Sequence, residues 1–184
     1  MKKFLALSML TALVLIGCNK AAAPTTAPAV DADVVANAPK GCVSKNTIAS
    51  KDAETVVYAA ANSWYVETTP DNGTFYFANY TLDPQSPYGH TYAGKDTEAG
   101  FAVSTTNKDP VNVGTWDQKD PLHKLSGMEI NVTGSGRSII GDKNSVQITY
   151  FGTDFVCGTA NIDDTYGSIK GDFIAKYYKW KSSL

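Results

Sequence analysis

From Ser63 onward the chain breaks into short segments in which apolar, β-branched and aromatic residues recur, often at every second position. They read SWYVET, TFYFANYTL, GFAVSTT, VNVGTW, GMEINVTG, SVQITYFG, DFVCGTANI and SIKGDFIAKYYKW. A period of two between clusters of Gly, Asn, Asp and Pro is the mark of strands joined by turns. In the last segment Ile169, Gly171, Phe173 and Ala175 share one face, and Lys170, Asp172, Ile174 and Lys176 share the other. That is a strand with one buried and one wet side. In the segment before it Phe155, Cys157, Thr159 and Asn161 fall together, so Cys157 is expected to point inward. Asn72-Gly73, inside TPDNG, predicts a two-residue hairpin turn, because a type I′ turn needs positive φ at both positions. Ser50 to Trp64 is ambiguous. Ser50 suits a helix N-cap and Glu54 a capping box, but Val56-Val57-Tyr58 favours a strand. Strands spaced by about ten residues predict an all-β fold, an antiparallel β-sandwich or barrel, with at most one short N-terminal helix.

The first 17 residues follow a different rule. Lys2 and Lys3 precede the 13-residue apolar run FLALSMLTALVLI, and Gly17 closes it. A run of that length is too short to cross a bilayer as a helix, which takes about 20 residues, and the layout is that of an export signal. Leu15-Ile16-Gly17-Cys18 resembles the lipobox of bacterial lipoproteins. The resemblance implies cleavage before Cys18, a diacylglycerol on its thiol and an acyl chain on the new amino group. Two or more chains anchor a protein stably. Asn19, where Asp would signal inner-membrane retention, implies the outer membrane. Residues 19 to 40 are rich in Ala, Pro, Thr and Val, without aromatics or a period. Such a composition cannot offset its ordering entropy by burial. The expected organisation is a signal peptide over 1–17, a lipidated linker over 18–41 and a β-rich domain over 42–184.

Cysteine parity then acquires a meaning. With Cys18 lipidated, Cys42 and Cys157 are the two left in an exported domain. A lone pair in an oxidising compartment usually bridges, so a Cys42–Cys157 disulfide is expected. Two free thiols or a metal site are the alternatives, the latter disfavoured because neither cysteine has a His or Cys within four positions.

Charge and motifs exclude more than they assign. The net charge of −2 offers no basic face for nucleic acid. No GxSxG is present, and GSGR at Gly134 to Arg137 has no helix pattern after it, so it reads as a turn. His90 and His123 are the only histidines, both in loop-like sequence, and Asp163-Asp164 lacks the spacing of a calcium loop. No cofactor or metal is expected, and no enzyme activity. Tyr88, Tyr92, Trp116 and Tyr166 lie in or beside expected loops, where aromatics either cap the core or stack on sugar rings and partner proteins. Tyr88, Tyr92 and Trp116 are the candidate ligand-binding residues. CGTANIDDTYGSIKGDFIAK and PVNVGTWD are similar to patterns in small bacterial lipoprotein β-sandwiches, which implies fold alone. The expectation is a membrane-anchored, non-enzymatic envelope lipoprotein that binds an unidentified protein or glycan. The alternatives are an inhibitor or immunity-type lipoprotein, whose plug would be the stretch from Leu82 to Gly100, and a hydrolase.

Overall fold

A computed structural model of the 184-residue chain describes residues 32–50, 57–58, 60, 62–86, 91, 96–132, 135–138, 143–163 and 165–181. The elements are α1 (Ala32–Asn37), β1 (Lys45–Ser50), β2 (Val57–Tyr58), β3 (Asn62–Thr69), β4 (Asn72–Ala78), β5 (Thr97–Thr105), β6 (Gly114–Asp117), β7 (His123–Val132), β8 (Ser135–Ser138), β9 (Ser145–Phe151), β10 (Phe155–Asp163) and β11 (Gly167–Lys179).

Eight strands close into a barrel in the order β10-β9-β6-β7-β5-β4-β3-β11, and the β10–β11 pairing completes the ring. Closure removes the unpaired edges of an open sheet. Three strands lie off the ring: β1 pairs β11, β2 pairs β1, and β8 pairs β7. The barrel is not wholly antiparallel, because β3 runs parallel to β11 and β6 parallel to β7. The β3–β11 pair joins strands distant in sequence, whereas β6 and β7 follow one another with residues 118–122 between them and meet at Asp117 and Lys124.

Alternation fills the interior. Phe75 and Phe77 of β4, Phe101 of β5 and Phe173 of β11 are fully buried, with ring centroids 4.9 to 6.4 Å apart. Tyr65 of β3 joins them 4.8 Å from Phe75. Each such side chain contributes roughly 1.5–3 kcal/mol. An eight-stranded barrel has room for side chains or one small ligand. Here the described aromatics take the central space.

Three expectations are corrected. The β3–β4 turn is Pro70-Asp71, and Asn72 and Gly73 are the first residues of β4, neither with positive φ. Pro70 presets the turn, and Asp71 accepts a 2.7 Å hydrogen bond from the Thr69 hydroxyl. Gly73 is needed for space instead: a Cβ there would lie 2.3 Å from Cζ of Tyr65. Cys157 is buried, but on the outside of the wall, because Val156, Gly158, Ala160 and Ile162 are the inward residues of β10. What covers it is α1, which lies in the stretch expected to be linker: Val34, Cys157 and Ile174 form one cluster. The ambiguous stretch is strand at both described ends, since Ser50 closes β1 and Trp64 lies in β3, while residues 51–56 fall outside the described set.

Candidate functional site

The outward residues of β3, β4 and β11 are unusually aromatic. Trp64 stands opposite Tyr76 on one side and Lys176 on the other, and Val66 stands opposite Tyr178. The Lys176 ammonium lies 5.5 Å from the Trp64 ring centroid, a cation–π contact. The segment after β4 folds back over this face. Its Leu82 is buried with Val66, Tyr76 and Ala78, and Trp64, Tyr80 and Tyr178 pack at the margin. The segment is pinned by polar bonds: the Asn62 amide donates to the Tyr80 carbonyl at 3.0 Å, the Tyr80 hydroxyl donates to Glu98, and the Gln85 amide N–H donates to Asp83 at 2.9 Å.

Where that cover ends, a cleft of about 390 Å³ opens, lined by Gln85, Tyr178, Trp180 and Lys181. Trp180 is 39% exposed. Its backbone is held by a 2.8 Å bond from its N–H to the Glu67 carbonyl. The Glu67 carboxylate accepts from the Tyr177 hydroxyl at 2.6 Å and pairs with Lys179 at 3.0 Å, which fixes the strand end that presents Trp180. Two partly exposed aromatic rings beside an amide and an ammonium suit a ligand with apolar faces and hydroxyl or acidic edges.

The residues expected from sequence are distributed differently. Cys42 and Cys157 are bridged, with Cα atoms 5.8 Å apart. Cys18, Tyr88, Tyr92 and His90 lie outside the described residues. Trp116 is no surface platform: on β6 it is 1% exposed, so its ring cannot stack on a ligand and instead fills the core. His123 opens β7, edge-on to Trp116 at 5.1 Å and paired with Asp120 at 3.4 Å. The Leu122 and His123 backbone amides donate to Asp120 and hold its carboxyl below the usual range. Asp163 pairs with Lys170 at 2.6 Å, which gives that carboxylate a structural use. Of the stretch expected as a plug, Leu82 is buried and Thr97–Gly100 is strand, and residues 87–90 and 92–95 lie outside the described set.

Sequence reading missed Tyr178, Trp180, Gln85 and Lys181. The signal was present in KYYKW, where Lys176, Tyr178 and Trp180 alternate on the face opposite Phe173 and Ala175. Fold and cleft together define a closed eight-stranded barrel with an aromatic interior and its open aromatic site on the outer wall. No family model, curated protein or solved structure matches the chain.

Proposed function

We propose that this chain is a non-enzymatic lipoprotein of the bacterial outer membrane. It is tethered through Cys18, and its barrel binds an envelope saccharide in the cleft of Tyr178 and Trp180. The observation that carries the ligand class is the pairing of partly exposed aromatic faces with Gln85 and Lys181 in one cleft. Sugar rings present apolar C–H faces for stacking and hydroxyl edges for hydrogen bonds, and Lys181 favours an acidic sugar. The tether is supported by LIGC at the end of the apolar run. If residues 19 to 31 are extended like polyproline II, at about 3.1 Å each, their 13 residues would reach roughly 40 Å from the lipid.

The test is a glycan array probed with the full chain and with Trp180→Ala. The reading expects a preference for acidic saccharides and at least about a tenfold loss in the variant, from the roughly 1.4 kcal/mol a stacked ring supplies. Binding unchanged by Trp180→Ala, or no saccharide bound, sinks the ligand assignment. Turnover of a bound glycan sinks the non-enzymatic reading.

A further inference from the structure

On the outer wall β11 presents one row of side chains: Ile174, Lys176, Tyr178 and, just past the strand end, Trp180. At about 3.3 Å per residue the row is roughly 20 Å long. Its two ends have different duties. Ile174 lies under α1 in one cluster with Val34 and Cys157, and the Cys42–Cys157 bridge ties the chain down beside it. Trp180 and Tyr178 line the cleft. The chain that comes from Cys18 therefore reaches the barrel on the same row that ends in the binding site.

The row is also basic on an acidic chain. The net charge is −2, yet Phe173 to Leu184 holds three lysines and no carboxylate side chain. Lys176 lies over the Trp64 ring, Lys179 pairs with Glu67, and Lys181 lines the cleft. Glu67, the carboxylate of β3 at this strand end, is engaged by Lys179 and the Tyr177 hydroxyl, and Asp83 on the fold-back accepts the Gln85 N–H. Trp180 is the exposed ring, with Trp64 and Tyr178 half-buried behind it. Amphipathic rings and long-stemmed lysines together are the side chains that settle among lipid headgroups, and lysines are drawn to an anionic leaflet.

Affinity points the same way. Two rings, one amide and one ammonium give a small sugar a Kd of about millimolar order. A free saccharide at lower concentration leaves such a cleft empty. Anchoring in one membrane makes the encounter intramolecular, at an effective concentration of about millimolar for a short linker. A ligand in the membrane that holds Cys18 then fills the cleft without further contacts.

We propose that the saccharide of this cleft is the anionic headgroup of a lipid in the membrane that anchors the chain, and that the row from Lys176 to Trp180 lies against that surface. The proposal rests on the saccharide reading of the cleft and names where the saccharide is carried.

The test uses the full chain extracted from envelopes and reconstituted in phosphatidylcholine vesicles that carry a headgroup spin label. The vesicles contain nothing further, a sialylated ganglioside, lactosylceramide, or phosphatidylglycerol, the three additions at equal mole fraction. The reading is the quenching of Trp180 fluorescence, taken as wild type minus Trp180→Phe, because Trp64 and Trp116 remain in both. Ganglioside is expected to raise this quenching above that in each of the other vesicles. With Kd and effective concentration both about millimolar, roughly half of the chains hold the headgroup, and free sialyllactose at about ten times Kd should cut the extra quenching about sixfold. Lys181→Glu, at an exposed position, is expected to abolish the extra quenching with the melting temperature unchanged. Equal quenching with phosphatidylglycerol, or quenching that free sialyllactose does not displace, overturns the proposal. Sialyllactose that binds the chain in solution, with no extra quenching in ganglioside vesicles, overturns it and leaves the saccharide reading standing. Neither binding in solution nor extra quenching sinks both.

Discussion

The Cys42–Cys157 bridge closes a loop of 115 residues, most of the barrel. Replacing both cysteines by alanine releases that constraint from the unfolded chain. In the chain-entropy treatment a loop of this length is worth about 4.8 kcal/mol at 25 °C. With a urea m-value of about 2 kcal/mol/M, the unfolding midpoint should fall by roughly 2.4 M. The melting temperature should fall by about 10–20 °C. The structure adds a finer expectation. The bridge joins Cys42 to the outer face of β10, and the cluster beneath α1 is only Val34, Cys157 and Ile174 with Ala38, Cys42 and Phe155 at its edge. In the variant that cluster should open before the barrel does. Amide exchange near Val34 would then outpace exchange at Phe173. The assay is urea unfolding followed by tryptophan fluorescence and far-ultraviolet dichroism, on oxidised wild type, reduced wild type and the double alanine variant. A midpoint shift below about 0.5 M in a variant with native spectra would refute the claim that loop closure supports this fold.

Two further perturbations test the interior. Gly73→Ala places a methyl carbon 2.3 Å from the Tyr65 ring, so it should destabilise by about 1–3 kcal/mol, and Tyr65→Leu should relieve that clash in a double-mutant cycle by urea unfolding. Additivity of the two substitutions would show that the ring does not fill the space above Gly73. Tyr65→Phe removes a buried hydroxyl that has no hydrogen-bond partner among the described residues, and should stabilise by about 1 kcal/mol at pH 7. Burial, then Glu67 and Tyr177, pushes the Tyr65 phenol above its ordinary range. The folded state therefore keeps this proton where the unfolded state loses it. The contribution is fully present below about pH 10 and falls by about 1.4 kcal/mol per pH unit above it. Tyr65→Phe should flatten the alkaline stability curve by that slope, and an unchanged slope in a pH series of urea titrations would contradict the burial of this phenol.

The sequence carried the local pattern well and the long-range order poorly. Ile169, Phe173 and Ala175 do face inward, because a period of two is a property of the strand itself, while Gly171 is only half-buried. The disulfide was legible from parity. The parallel β3–β11 pairing was not, since it joins distant segments that no turn connects, nor was the parallel contact of β6 with the strand that follows it. Trp116 read as a loop aromatic because it follows Gly114 in a short run, yet β6 is a wall strand and its ring is core. Ile174 read as wet because α1, drawn from an Ala- and Val-rich stretch, gives no strong helix signal of its own. The cleft needs the fold-back after β4 to bring Gln85 beside Trp180, a contact across about half of the chain that local pattern cannot encode.

The proposed life of this protein at a membrane surface rests on Cys18. The direct measurement is the intact mass of the chain extracted from envelopes, compared with a Cys18→Ser variant. The expected result is a wild-type chain that begins at Cys18 and carries a diacylglyceryl group and an acyl chain, and a variant without lipid that leaves the membrane fraction. A wild-type chain that retains residues 1–17, or one that begins elsewhere without lipid, would contradict it.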